Sequence, residues 1–101
     1  MEKRAPQHGL EAFKRCCRDA GSLPATETAL RDAATLLFER REIVAAIQSM
    51  QLGQFYKSMT ACHDRRRWQD VYQVPWDGLI LYVKFTDSAL TAFTLLSFKE
   101  K

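Results

Sequence analysis

What this chain lacks narrows its nature first. None of its 101 residues belongs to an apolar run long enough to cross a bilayer, which takes roughly 18 consecutive apolar residues. Residues 1–7 carry charge and no apolar run follows them, so neither secretion nor membrane insertion is expected. Cysteine is scarce and odd in number (Cys16, Cys17, Cys62), which argues against a disulfide framework and for the reducing cytoplasm. There is no glycine-rich phosphate loop, no Ser, His and Asp set with a recognisable signature, no internal repeat and no low-complexity tract. Charge of one sign is also in short supply: a formal +3 is too small to require a polyanionic partner, although clustering would make one compatible.

What is present describes an ordinary folding chain. Hydrophobic residues are 47% and charged residues 27%, far from the composition of disordered segments. The length suits one domain, residues 1–101, with its own core, and is too short for two.

Two periods divide the chain. Through residues 10–50 apolar side chains recur at helical spacing; beyond Gln54 they alternate as in strands. Leu10, Phe13, Cys17 and Ala20 predict a first helix that Gly21 ends. Leu30, Ala33, Ala34 and Leu37 line a second, with Thr26 or Thr28 as its N-cap. Ile43, Val44, Ile47 and Met50 line a third, ended by Gly53. Strands are expected at 55–61, 68–74, 79–86 and 92–98, with 63–67 as a loop and turns at 75–78 and 86–88. In the clearest strand Leu79, Leu81, Val83 and Phe85 point one way, and Ile80, Tyr82, Lys84 and Thr86 the other. The expected fold class is therefore α+β: a largely antiparallel sheet with about three helices packed on one face, leaving the other free for a ligand.

Several residues carry candidate chemistry. Arg65, Arg66 and Arg67 run into Trp68, which combines phosphate-binding guanidinium groups with a ring able to stack on a base. The plainer reading is a solvated basic loop, with Trp68 starting a strand and entering the core. Lys57 sits on the alternate-residue face shared by Phe55, Met59 and Ala61, where a charge needs a site, a sheet edge or a route to water. Tyr82 and Lys84 share a polar face about 7 Å apart, close enough to grip a phosphate. Cys62, His63 and Asp64 are adjacent, yet neighbours on an extended chain point to opposite sides and no second Cys or His cluster completes four ligands, so no metal site is expected. Cys16 and Cys17 read as one border and one buried cysteine.

Four ordered strings exceed what periodicity explains: Phe55-Tyr56-Lys57-Ser58-Met59-Thr60, Trp68-Gln69-Asp70-Val71-Tyr72, Leu81-Tyr82-Val83-Lys84-Phe85 and Ser97-Phe98-Lys99-Glu100-Lys101. With the opening Met1-Glu2-Lys3-Arg4 and Pro6, they make nearly the whole chain resemble the motility quorum-sensing regulator family of mRNA-interferase toxins. The resemblance implies a RelE-like ribonuclease fold and the toxin role in a toxin–antitoxin pair. It further implies ribosome-independent cleavage of mRNA at short GC-containing sites without a metal or organic cofactor. The implied partner is an antitoxin with a zinc-binding N-terminal domain and a helix-turn-helix domain, and no membrane is involved. The family's activity residues fall on Lys57, Gln69 and Tyr82, with Lys99 as a fourth position. Lys84, Lys99 and the three arginines are expected to hold RNA. Gln54, Cys62 and Gln73 depart from the family pattern, which has an acid, an aromatic residue and often a histidine there.

Metal-free RNA cleavage requires that the ribose 2′-hydroxyl lose its proton, that charge on the phosphate be offset, and that the leaving 5′-oxygen gain a proton. Lys57 is cast as the cation beside the phosphate, because an unperturbed lysine, with a pKa of about 10.4, is a poor base. Tyr82 either transfers a proton or holds the phosphate, and Gln69 positions RNA without titrating. The base stays unassigned; His63 is of a suitable residue type but lies outside the matched strings. The rival expectation is a non-catalytic RNA-binding or regulatory module on the same fold. A DNA-binding reading is disfavoured, since no strong helix-turn-helix pattern is seen and the basic run belongs to the sheet half.

Overall fold

The computed structural model describes residues 1–88 and 92–101 and has the α+β order expected. A short strand β1 (Glu2–Lys3) is followed by helices α1 (Leu10–Cys16), α2 (Glu27–Thr35) and α3 (Arg40–Gln48). Strands β2 (Phe55–Ala61), β3 (Asp64–Trp76), β4 (Leu79–Ser88) and β5 (Ala92–Glu100) complete the chain. All five strands form one antiparallel sheet in the order β1-β2-β3-β4-β5. No helix among the described residues is long and apolar enough to cross a membrane.

The helices cover one face. Tyr72 and Val74 of β3, Leu81, Val83 and Phe85 of β4, and Leu95 and Phe98 of β5 meet Leu10, Phe13, Ala29, Ala33, Ile43 and Ile47 from the helices. Phe13 stacks on Phe85 with centroids 3.7 Å apart. Burying each such Leu, Ile or Phe side chain is worth about 1.5–3 kcal/mol, so this face is the main source of stability. The opposite face carries most of the sheet's polar side chains, with the apolar Met59 and the buried Val71 among them.

Helix ends differ from the sequence expectation for identifiable reasons. Helix α1 stops at Cys16 instead of running to Ala20 and Gly21, because the Gln48 side chain of α3 donates to the carbonyls of Lys14 (2.7 Å) and Cys17 (3.2 Å). Those orphan acceptors are thus satisfied by a neighbouring helix, and Ala20–Ser22 forms a separate 3-10 turn. At the start of α2 the Thr26 hydroxyl accepts from the Ala29 amide, as the capping pattern predicts. Leu37, expected in the core, is 89% exposed. It adopts φ 64° in a Schellman-type ending, where the Leu37 amide donates to Ala34 and the Phe38 amide to Ala33. Leu36 and Phe38 pack on the core in its place.

The sheet is longer than the alternation suggested. Strand β3 runs 13 residues and begins at Asp64, so Arg65, Arg66 and Arg67 lie in a strand and not in a loop. The preceding turn is only Cys62 and His63. Asp77 (φ 47°) and Gly78 (φ 83°) make the tight link from β3 to β4, the left-handed pair that suits the twist of a two-residue hairpin. The turn expected at 86–88 is instead paired strand, with Ser88 opposite Ala92; the link between β4 and β5 lies outside the described residues.

A buried acid ties the N-terminal arm to the sheet. Asp70 is fully buried on the helix side, where its carboxylate accepts from the amides of Gln7 (3.1 Å) and His8 (3.0 Å) and from the Ser58 hydroxyl. The arm then lies along β2, with Glu2 opposite Met59 and Lys3 opposite Ser58. Trp68, expected in the core, is half-buried at this edge with the Lys3 ammonium 4.3 Å from its ring centroid.

Candidate active site on the open face of the sheet

Residues directly opposite one another in an antiparallel ladder project from the same face, so the register alone sorts the open surface into rows. One row is Lys57, Val71, Lys84 and Ser97. A second, to one side, is Met59, Gln69, Thr86 and Thr94; a third, to the other, is Gln73, Tyr82 and Lys99. Lys57, Gln69 and Tyr82 therefore occupy one face, with Lys84 and Lys99 among them. Strand spacing of about 4.8 Å and a two-residue repeat of about 6.6 Å place Lys84 about 10 Å from Lys57 and about 7 Å from Tyr82, backbone to backbone.

A bulge explains why Lys57 belongs here. Simple alternation puts Phe55 and Lys57 together, but the register slips between them: Phe55 is opposite Tyr72, and Lys57 is opposite Val71. Tyr56 is the extra residue, so Phe55 packs on Tyr72 on the helix side while Lys57 emerges on the open side.

The three lysines of the face live in different surroundings. The Lys57 ammonium donates to the Glu2 carboxylate at 2.9 Å, and that bond holds Lys57 above the usual lysine range and Glu2 below the usual carboxylate range. The Lys99 ammonium lies 5.5 Å from the centroid of the Tyr82 ring. Lys84 is shifted the opposite way from Lys57: burial, and then the positive charge of Lys99, push it below the usual range. Beside it lies an open concavity of about 700 Å³, lined among others by Gln69, Lys84, Thr86, Thr94, Arg67 and Cys62. Thr86 is fixed there by donating to the Trp68 carbonyl at 2.8 Å.

The arginines are separated by the strand they occupy. Arg67 borders the concavity and donates to the Asp87 carbonyl at 2.7 Å. Arg66 is taken up by Asp64, whose carboxyl the Arg66 amide and guanidinium hold low, and Arg65 is exposed at the hairpin. The face thus gathers Lys57, Gln69, Tyr82, Lys84, Lys99 and Arg67, and leaves Arg65 and Arg66 apart. Cys62 is exposed, Cys17 is buried and Cys16 lies at the border; burial pushes the Cys17 thiol up to about 12.

Sequence reasoning missed two groups. Glu2 reaches Lys57 only because β1 pairs with β2, and a two-residue strand has no period to detect. Asp70 belongs to the string Trp68-Gln69-Asp70-Val71-Tyr72, but its anchoring of Gln7 and His8 gives no local signal.

An open β-face carrying ammonium, phenol and amide groups, backed by helices, makes this a small α+β protein with a face chemically suited to hold an anion. Residues 5–100 match the family model described as motility quorum-sensing regulator, toxin of MqsA, and the chain belongs to that family. It is 35% identical over 101 residues to the mRNA interferase toxin MqsR of Escherichia coli (strain K12), covering all of both chains.

Proposed function

We propose that this protein is the toxin of a toxin–antitoxin pair and an endoribonuclease that cleaves mRNA by itself, without the ribosome and without a metal. The observation that carries the reading is the shared placement of Lys57, Gln69 and Tyr82, with Lys84 and Lys99, on the open face of one sheet. The family and the name of the bacterial relative support it. The ammonium groups offset phosphate charge as phosphorus becomes pentavalent, Gln69 orients the strand, and Tyr82 holds or protonates an oxygen of the scissile group. Attack by the ribose 2′-oxygen leaves a 2′,3′-cyclic phosphate and a 5′-hydroxyl.

Glu2 sets a condition on binding. Its carboxylate occupies the Lys57 ammonium, so an incoming phosphate takes over a bond that the arm now makes. Short GC-containing sites are the expected targets. The expected partner is an antitoxin with a zinc-binding N-terminal domain and a helix-turn-helix domain, and the pair acts in the cytoplasm.

Incubating the purified protein with a defined RNA in excess chelator, and reading cut positions and end groups, tests the proposal. Cuts with cyclic-phosphate ends at repeated short sites are expected. Salt-sensitive binding with no cut would replace the enzyme with an RNA-binding module.

A further inference from the structure

Lys84 stands at the centre of the open face. Its own strand sets Tyr82 and Thr86 two residues to either side, β3 faces it with Val71 and Gln69, β2 with Lys57, and β5 with Ser97 and Lys99. Cys62, His63, Asp64 and Arg67 border the concavity it lines. The other two lysines have company: Lys57 has Glu2, and Lys99 has the Tyr82 ring. Lys84 makes no hydrogen bond or ion pair with any described residue, and the acid nearest the concavity, Asp64, is taken by Arg66. An ammonium half-buried between two others and given no carboxylate is poorly placed to keep its proton.

We propose that Lys84, as the neutral amine, is the base that accepts the ribose 2′-hydroxyl proton, an inference that rests on the cleavage reading above. As the proton passes to Lys84 Nζ, the 2′-oxygen bonds to phosphorus. The bond from phosphorus to the 5′-oxygen breaks, and that oxygen takes a proton from the Tyr82 hydroxyl. Lys84 then releases its proton to solvent and Tyr82 recovers one, so nothing is oxidised or reduced. The spacing suits an in-line displacement: Lys84 and Tyr82 are two residues apart on one strand, about 7 Å, which sets base and acid on opposite sides of a phosphate lying between them. Burial first and the charge of Lys99 second lower the Lys84 pKa; Cys62 opposes them, and Lys57 adds the smallest lowering effect.

Replacing Lys84 by arginine keeps a long hydrogen-bond donor in place but leaves no neutral amine to take a proton. Lys84→Arg is expected to bind a 2′-deoxy-blocked RNA at least as tightly as the wild type while cleaving more slowly by about 10² or more, the usual scale for a lost general base. The wild-type rate should rise with pH along an acid limb, because the base must be neutral. Lys99→Gln should move that limb to higher pH by removing a charge that depresses Lys84. Lys84→Ala should regain cleavage in proportion to added free propylamine. A Lys84→Arg protein that cuts within about threefold of wild type, or an acid limb unmoved in Lys99→Gln, overturns the assignment and leaves the endoribonuclease reading intact. If the wild type itself makes no cyclic-phosphate ends, both fall.

Discussion

The two faces of the sheet treat buried charge in opposite ways. On the helix side Asp70 is wholly enclosed, yet two backbone amides and a hydroxyl meet its carboxylate, and it serves to hold the arm. On the open side Lys84 is only half-enclosed and has no oppositely charged partner among the described residues. Satisfied charge on one side makes architecture; unsatisfied charge on the other leaves a demand that a phosphate or a lost proton can meet. The strands themselves are shared, so the contrast arises from alternate residues of the same segments, Asp70 against Gln69 and Phe85 against Lys84.

The contrast can be broken from either side. Lys57→Ala and Tyr82→Phe should each lower cleavage of a defined RNA by about 10² to 10³, with melting temperature nearly unchanged, since both act on charge that develops in the transition state. Full turnover in both would show that the open face is not the site. From the other side, Asp70→Asn should cost about 3 kcal/mol in urea unfolding, because an amide nitrogen turned toward the Gln7 and His8 amides leaves donors unpaired. Loss of stability below about 1 kcal/mol would show that the arm is not held by this acid.

Tyr72 sharpens the same comparison. Its hydroxyl is buried with no partner among the described residues, and burial lifts its pKa to about 12. A raised folded-state pKa contributes stability that is complete below the unfolded value near 10 and is lost as pH climbs toward 12. Tyr72→Phe should therefore leave stability at neutral pH unchanged or raise it by about 1 kcal/mol, and weaken the alkaline decline, as followed by thermal melts across pH.

The smallest effect belongs to Glu2. Glu2→Gln should tighten RNA binding by about two- to fivefold at low salt, read by titration with a non-cleavable RNA, because exposed ion pairs are weak competitors. Acid should act in the same direction: the Glu2 carboxyl is held low, so the Lys57 pair persists as pH falls through the ordinary carboxylate range and opens only below it.

Much of this is legible in the sequence. The alternation from Leu79 to Thr86 already separated Tyr82 and Lys84 from the core residues Leu81, Val83 and Phe85, since a strand has a period of two whatever it pairs with. The helical spacing of Leu10 and Phe13, and of Ile43 and Ile47, likewise identified buried faces. Local pattern failed where another segment intervened. Gln48 ends α1, the bulge at Tyr56 separates Phe55 from Lys57, and the pairing of Asp64 with Ala61 of β2 carries β3 back past the three arginines.

Composition and periodicity by themselves determined the α+β class, the order of the helices before the four long strands, and which side of β4 is polar, because those follow from interactions within a few residues. Motif order determined the family. Only the tertiary structure decided that Lys57, Gln69 and Tyr82 share a surface, that Glu2 sits on Lys57, and that Lys84 stands at the centre with no hydrogen-bonded or oppositely charged partner among the described residues. Those facts depend on register between strands, which a single strand does not encode, and on electrostatics among groups separated in sequence by up to 55 residues.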